Sequence, residues 1–191
     1  MKKNVLIGVC GGIASYKVCE LIRLLRKNNF SVKVMMTQAA AKFVTPLVFK
    51  TLSNNPVYID MFEYSQEDIE HTSLASWADL CVVAPLSANT LSKIACGICD
   101  NLLTTVICAL PASTKVMLVP AMNDNMWKNA IIKENVRKLK KNKNYLVMEP
   151  EKGELACGDW GEGRLPEVKD IFRELCKILK IQSPLIKGLK K

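Results

Sequence analysis

The chain has 191 residues, 49% of them hydrophobic, which is enough for one domain with a sizeable core. Its 27 lysines and arginines outnumber its 18 acidic residues, so the formal net charge is +9. Aromatic residues are only 6% of the chain and do not alternate with the basic runs, which argues against a nucleic-acid partner. No apolar run is long enough to span a membrane, and we expect no membrane partner. The positive charge fits a protein that handles phosphorylated small molecules.

The eight cysteines follow no regular spacing, and several lie inside apolar segments. This usage is typical of a reducing compartment, so we expect a cytoplasmic protein. Cys96 and Cys99 form a single CxxC pair, but the chain has one histidine and no second pair of this kind. We therefore predict no metal site.

The first half of the chain begins with an apolar run over residues 5–10, which predicts a buried strand. The strand ends at Gly11 and Gly12, and an amphipathic helix follows, so backbone N–H groups at this turn suit a phosphate. A second strand over residues 31–36 ends in Thr37. A nicotinamide-binding fold would carry an acidic residue at this position, so Thr37-Gln38-Ala39 disfavours NAD.

The remaining elements alternate between helices and strands, which predicts an α/β fold with a parallel sheet. Helices are predicted over residues 40–52 (broken near Pro46), 74–78, 91–98, 102–110, 127–139 and 168–179. Strands are predicted over residues 57–59, 80–84, 115–119 and 145–148. Pro85 and Pro120 are expected to end the two buried strands that precede them, because proline has no N–H to donate.

Polar residues follow these two strands at the edge where ligands bind in open α/β sheets. Ser87, Asn89 and Thr90 precede a helix and are predicted to form an anion cradle. The segment 119–127, VPAMNDNMW, combines a small residue, an amide and apolar side chains, which suggests a flat apolar cofactor and one polar group to be oriented. Asn125 is a candidate cap of the next helix. The alternative is an ordinary turn in which Asn123 binds its own backbone.

Two further segments hold candidate reactive groups. His71 precedes the helix at 74–78, although a lone histidine is more often structural than catalytic. Residues 150–166 are polar and glycine-rich, and we expect them to form a mobile flap over the site. The flap carries Cys157, and Arg164 either lowers the pKa of that thiol or binds a phosphate.

Four segments together resemble one family, the flavin-containing cysteine decarboxylases. They are GVCGGIASYK at 8–17, HTSLASWADLCVVAPLSANT at 71–90, PAMNDNMW at 120–127 and ACGDWGEGRL at 156–165. The resemblance implies a Rossmann-like, doubly wound parallel sheet in three α/β/α layers that binds FMN. It also implies a homo-oligomer, either a trimer or a dodecamer built from trimers, with FMN at the subunit contact. The residues matched to FMN binding are Gly11, Gly12, Ile13, Thr37, Gln38, Ala39, Ser87, Ala88, Asn89, Thr90 and Ala121.

The resemblance implies that 4′-phospho-N-pantothenoylcysteine loses CO2 and becomes 4′-phosphopantetheine in coenzyme A biosynthesis. The thiol is oxidised to a thioaldehyde, CO2 leaves, and the resulting ene-thiol is reduced. His71, Asn123 and Cys157 match the family's catalytic residues, with the thiol as proton donor. Asn123 binds the substrate carboxylate, and Met122 and Arg164 are also matched to substrate binding.

The resemblance covers an FMN-binding decarboxylase domain at residues 1–180, followed by a basic tail or linker at 181–191. In related chains such a tail leads into a phosphopantothenate–cysteine ligase, so we expect a fused or separate ligase as partner. Three alternatives stay open: a peptidyl-cysteine decarboxylase, a flavin prenyltransferase and a non-catalytic FMN-binding regulatory protein. Retention of both His71 and Cys157 argues against the last of these.

Overall fold

The structure, a computed structural model, describes residues 2–62, 70–154, 156 and 158–181. Its helices are α1 (Val18–Lys27), α2 (Pro46–Ser53), α3 (Glu70–Trp77), α4 (Ala88–Cys96), α5 (Leu102–Ala109), α6 (Asp124–Lys128), α7 (Ala130–Lys141) and α8 (Val168–Ile178). Its strands are β1 (Asn4–Val9), β2 (Ser31–Met36), β3 (Val57–Tyr58), β4 (Leu80–Leu86), β5 (Lys115–Pro120), β6 (Tyr145–Val147), β7 (Glu151–Glu154) and β8 (Trp160–Arg164). Short 3-10 helices cover Ile13–Lys17 and Ala40–Lys42.

Six of the described strands form one sheet in the order β3-β2-β1-β4-β5-β6, and every pairing in it is parallel. The order reverses between β1 and β4, which is the doubly wound arrangement that places a ligand-binding crevice at the carboxyl ends of these strands. The predicted Rossmann-like α/β fold is confirmed. The strands β7 and β8 form a separate antiparallel hairpin.

The core lies on both faces of the sheet because successive residues of a strand point to opposite sides. On β1, Val5, Ile7 and Val9 pack toward α1 and α8, while Leu6 packs toward α3, α4 and α5. All of these side chains are fully buried. Helices therefore cover both faces, and the molecule has the three α/β/α layers expected from the sequence.

Several predicted boundaries are wrong for identifiable reasons. Pro85 does not end its strand, because β4 has a register shift between Val83 and Leu86, where the proline does not need to donate a ladder hydrogen bond. Its carbonyl oxygen still accepts from the Cys10 N–H at 3.2 Å. The peptide bond before Pro85 is cis. The helix predicted over residues 127–139 is divided into α6 and α7, since the Asn129 side chain caps the second helix by accepting a hydrogen bond from the Ile131 N–H at 2.9 Å.

The break predicted near Pro46 in the helix at residues 40–52 is confirmed: the segment consists of a 3-10 turn and α2, and Pro46 is the first residue of α2. The strands of the β7–β8 hairpin were not predicted. Among the described residues no helix is long and apolar enough to cross a membrane. The predicted tail lies outside the described residues from position 182 onward.

Candidate active site at the carboxyl edge of the sheet

A cavity of about 580 Å³ opens where β1, β4 and β5 end. The turn after each strand contributes to its wall, and the β7–β8 hairpin closes one side. The lining residues are Gly11, Gly12, Ile13, Ala14, Tyr16, Lys17, Pro85, Ser87, Ala88, Ala121, Met122, Asn123, Met126, Glu154, Ala156, Gly163, Arg164 and Leu165. Most of these side chains are small or apolar, so the cavity suits a flat apolar ring system with a few polar attachments.

The turn after β1 depends on a close approach between two loops. A Cβ atom at Gly11 would lie 2.6 Å from the Ala39 Cβ, so only glycine lets the loop after β2 pack there. Behind the turn, the buried Ser15 hydroxyl donates to the carbonyl oxygens of Cys10 at 3.0 Å and Gly12 at 2.6 Å. The turn is thereby fixed with the backbone of Gly12 facing open space.

The turn after β4 begins α4 at the cavity wall. Ser87 is the N-cap, and its hydroxyl accepts a hydrogen bond from the Thr90 N–H at 3.3 Å. Cys10 lies beside these two residues, and its burial raises the pKa of its thiol, while hydrogen bonds from Thr90 and Ser87 oppose that shift. The Cys10 thiol therefore stays protonated and serves as packing rather than as a nucleophile.

The turn after β5 carries Asn123, which is the N-cap of α6. Its Oδ1 accepts a hydrogen bond from the Asn125 N–H at 2.9 Å, so the expected capping role of Asn125 is wrong: Asn125 supplies the donor and Asn123 the acceptor. The Nδ2 group of Asn123 has no partner within the ranges that the structure describes. The amide is thus oriented by its oxygen and keeps two N–H donors for a ligand at the cavity wall.

The β7–β8 hairpin is joined to this same loop. The Met122 N–H donates to the Gly163 carbonyl at 3.0 Å, and Asp124 Oδ1 accepts from the Glu162 N–H at 2.7 Å. The other Asp124 oxygen accepts from the Lys128 ammonium group at 2.7 Å. The Lys128 hydrogen bond and then the Glu162 N–H hold the pKa of Asp124 below its ordinary value, so the carboxylate stays charged.

Two cationic side chains reach the cavity wall. Lys17 has no ion-pair partner among the described residues, whereas the Arg164 guanidinium pairs with the Glu167 carboxylate. Arg164 is therefore partly neutralised, which weakens its expected role as a phosphate ligand. Lys17 is the cation at this wall that is free to meet an anionic group.

The structure brings together part of the predicted site. The predicted residues that line the cavity are Gly11, Gly12, Ile13, Ser87, Ala88, Ala121, Met122, Asn123 and Arg164. The predicted residues that do not line it are Thr37, Gln38, Ala39, Asn89, Thr90 and His71. His71 is half-buried on α3, and the Thr37 hydroxyl accepts from the Ala40 N–H at 3.2 Å. The predicted proton donor, Cys157, lies outside the described residues.

Nine lining residues were not among the site residues predicted individually: Ala14, Tyr16, Lys17, Pro85, Met126, Glu154, Ala156, Gly163 and Leu165. Tyr16 and Met126 are apolar residues left exposed on helices beside the glycine turn and beside Asn123, respectively. Each lies on the polar face of a helix that begins at a predicted binding turn. An apolar residue in that position is a signal that would have identified both. Glu154 and Leu165 reach the cavity only through the hairpin, which the sequence pattern did not reveal.

Comparison with known proteins identifies the family. A model of the flavoprotein family matches residues 1–180. The coenzyme A biosynthesis bifunctional protein CoaBC of Borreliella burgdorferi is 46% identical over 171 residues, which are 90% of this chain and 43% of that protein. The probable phosphopantothenoylcysteine decarboxylase of Streptococcus mutans is 42% identical over 176 residues, or 92% of this chain and 98% of that one. The chain thus spans about two fifths of the bifunctional relatives that it matches.

Two solved structures share the fold over nearly the whole chain. A mutant of PPC decarboxylase complexed with pantothenoylaminoethenethiol superposes with a TM-score of 0.83 at 30% identity, covering 94% of this chain and 100% of that one. The FMN binding protein AtHal3 superposes with a TM-score of 0.81, also at 30% identity, over 96% of this chain and 100% of that one. With the family model matching almost every residue that the structure describes, the chain belongs to the flavoprotein family.

Proposed function

We propose that this chain is an FMN-dependent decarboxylase that converts 4′-phospho-N-pantothenoylcysteine to 4′-phosphopantetheine in coenzyme A biosynthesis. The observation that carries the proposal is Asn123, whose amide is fixed by its oxygen and presents free N–H donors at a cavity wall suited to a flavin. Relatives at 42% and 46% identity bear names that belong to this step.

The residues of the cavity fit FMN. Its apolar wall, including Pro85, Ala121 and Met126, suits an isoalloxazine ring, and the backbone at Gly12 is open to an approaching group. Ser87 and the open backbone at Gly12 would hold the ribityl and phosphate groups. When bound, FMN would take two electrons and a proton from the substrate and return them after CO2 has left.

Asn123 binds and orients the substrate carboxylate in this proposal. A carboxylate accepts hydrogen bonds, and an amide whose oxygen is already occupied can only donate. Loss of CO2 from the cysteine itself would leave an unstabilised carbanion, whereas loss from the thioaldehyde places the electrons in a C=S group. The carboxylate must leave perpendicular to that group, so a fixed amide that sets its orientation favours the step.

His71 and Cys157 are the proposed proton-transfer groups. An imidazole is suited to move a proton near neutral pH, and a thiol is mostly protonated there and can act as an acid. His71 does not line the cavity of its own chain. We place it against the cavity of a second copy, in a homo-oligomer of trimeric type. This is supported by Ile13 and Tyr16 at the rim, which are 59% and 58% exposed in a single chain although apolar.

The test is mass spectrometry of the FMN-loaded protein incubated with 4′-phospho-N-pantothenoylcysteine, in which we expect the mass of the product to be lower by one CO2. A peptide ending in cysteine, run in parallel, distinguishes the peptidyl-cysteine decarboxylase alternative. Turnover of the peptide alone would overturn the proposed substrate. A colourless protein that takes up no FMN on titration would overturn every flavin-dependent activity.

A fused or separate phosphopantothenate–cysteine ligase is the proposed partner. It is supported by the name and length of the bifunctional relatives, of which this chain matches about two fifths. The ligase activity would supply the cysteine-containing substrate, which this domain then decarboxylates.

A further inference from the structure

A second cavity adjoins the first along α1. Its volume is about 670 Å³, and it is lined by Tyr16, Lys17, Cys19, Glu20, Arg23, Leu24, Lys27, Glu167 and Val168. Tyr16 and Lys17 line both cavities. The two cavities are therefore adjacent at these side chains, and a long ligand that passes over them would extend from the first cavity into the second.

The second cavity is cationic. Lys17, Arg23 and Lys27 face it from one side of the helix, and none of them has an ion pair among the described residues. Two carboxylates also line it, but Glu167 is already paired with Arg164. Three free cations therefore face one uncommitted carboxylate, that of Glu20. The amino end of α8 opens on the same space without a side-chain cap, which adds to the positive potential.

The length of the proposed substrate carries its phosphate away from the reacting thiol. Thirteen bonds separate the sulfur from the phosphorus, and an extended chain of that length reaches roughly 15 Å. When its carboxylate is held by Asn123, the substrate in an extended conformation places its phosphate well outside the immediate reaction centre. Along the helix, Arg23 lies about 9 Å and Lys27 about 15 Å beyond Lys17, a residue that lines both cavities.

We infer that the second cavity binds the phosphate group of the substrate through Lys17, Arg23 and Lys27. The ligand class is a phosphomonoester at the end of a flexible chain, and the inference rests on the proposed function. A phosphomonoester carries close to two negative charges at neutral pH, so two or three cations on one helix face match its charge.

The test compares 4′-phospho-N-pantothenoylcysteine with N-pantothenoylcysteine, which lacks only the phosphate. The FMN-loaded wild-type protein should prefer the phosphorylated compound in kcat/KM. In the double variant Arg23→Gln, Lys27→Gln we expect that preference to fall at least about tenfold, since charged hydrogen bonds each contribute about that factor or more. Calorimetry with phosphopantetheine and pantetheine should show the same loss in binding, independently of turnover.

Arg26→Gln is the matched control, because Arg26 is on the same helix and carries the same charge but lines neither cavity. It should leave the preference at the wild-type value. An equal loss in the double variant and the control, or no loss in either, would overturn the phosphate site while leaving the decarboxylase activity standing. No turnover of either compound by the wild type would overturn the proposed function and this site with it.

The phosphate of FMN is the other phosphomonoester in the system, and flavin titration separates the two. The affinity of the double variant for FMN relative to riboflavin should equal that of the wild type. A selective loss of FMN affinity would assign these cations to the cofactor and overturn the inference.

Discussion

Gly163 lies against the backbone of Met122 so closely that a Cβ atom at position 163 would be 2.0 Å from the Met122 carbonyl oxygen. The φ angle of Gly163 is +152°, which side chains rarely adopt, and its own carbonyl accepts from the Met122 N–H at 3.0 Å. The hairpin that closes the cavity is therefore joined, backbone to backbone, to the loop that carries Asn123.

Gly163→Ala should separate the hairpin from this loop. The added methyl group cannot be accommodated beside a carbonyl oxygen, so the backbone must shift by about 1 Å, and a shift of that size near a reacting group costs up to about a hundredfold in rate. We expect kcat/KM to fall strongly while the melting temperature changes little, because the body of the hairpin lies outside the two main core clusters. Steady-state kinetics and thermal unfolding measure the two effects.

Gly97→Ala is the control for this prediction. Gly97 also has a positive φ, +69°, but a Cβ atom there would meet nothing within 4 Å. It therefore introduces backbone strain of about 1 kcal/mol without a steric clash. Equal kcat/KM in the two variants would show that the position of the hairpin does not matter for turnover.

Asp124 provides the second attachment of the hairpin. Asp124→Asn keeps an oxygen for the Glu162 N–H but loses the charge, and Asp124→Ala loses both, so hairpin docking should weaken in that order. The rate of trypsin cleavage after Lys152 and Arg164 measures how firmly the hairpin is docked. This rate should be lowest in the wild type, higher in Asp124→Asn and highest in Asp124→Ala. Wild-type cleavage rates in both variants would contradict the role given to Asp124.

The pH dependence of this attachment follows from the lowered pKa of Asp124. The ordinary value is 3.8, and a carboxyl whose pKa is lowered in the folded state stabilises that state above its unfolded pKa. The contribution is lost as the pH falls through the lowered value. Protection of the Glu162 amide against hydrogen exchange should therefore be constant from about pH 5 to about pH 8 and disappear only below pH 3.8. Loss of protection near neutral pH would contradict it.

The sheet was predictable because buried parallel strands give near-continuous apolar runs, and β2 was predicted with its observed boundaries. The glycine turn and Asn123 were predictable as site residues because strand ends converge at one edge of such a sheet. The continuation of β4 past Pro85 was not predictable, because a register shift that accommodates a proline is a property of the strand pair and not of the local sequence.

The hairpin was not predictable for a different reason. Residues such as Glu151, Lys152 and Glu162 are charged, and their strands are held by contacts to Met122 and Asp124, which lie about forty positions earlier in the chain. No hydrophobic periodicity within the segment indicates those contacts. The local indication of the contacts is the pair Gly161 and Gly163, since any other residue at these positions would overlap Asp124 or Met122.

Asn123→Asp should abolish turnover without destabilising the protein. Aspartate caps a helix about as well as asparagine, so α6 keeps its N-cap. The free N–H donors become a carboxylate oxygen, which repels the substrate carboxylate instead of binding it. We expect kcat/KM to fall by more than about a hundredfold, with an unchanged melting temperature and unchanged FMN content.

Asn123→Ala separates the two roles of this residue, because it also removes the cap and should lower the free energy of unfolding by about 1 kcal/mol. Full activity in the aspartate variant would rule out a carboxylate-binding role for Asn123.

Ser15→Ala should weaken the hydrogen bonding that fixes the glycine turn after β1. The change removes the hydroxyl that hydrogen-bonds the Cys10 carbonyl oxygen, leaving that buried acceptor without its partner, so the free energy of unfolding should fall by about 1–2 kcal/mol. The Gly12 carbonyl still accepts from the backbone N–H of residue 15 at 3.0 Å, so the turn weakens but does not unfold. FMN affinity, measured by quenching of flavin fluorescence, should therefore fall about tenfold.

Ser76→Ala is the matched control, since Ser76 is exposed on α3 and should change neither stability nor FMN affinity. The comparison is informative because the Ser15 side chain is absent from the cavity wall. A loss of FMN affinity in Ser15→Ala must therefore act through the backbone of Gly11 and Gly12. If the variant lost stability but bound FMN as tightly as the control, the turn would not be part of the cofactor site.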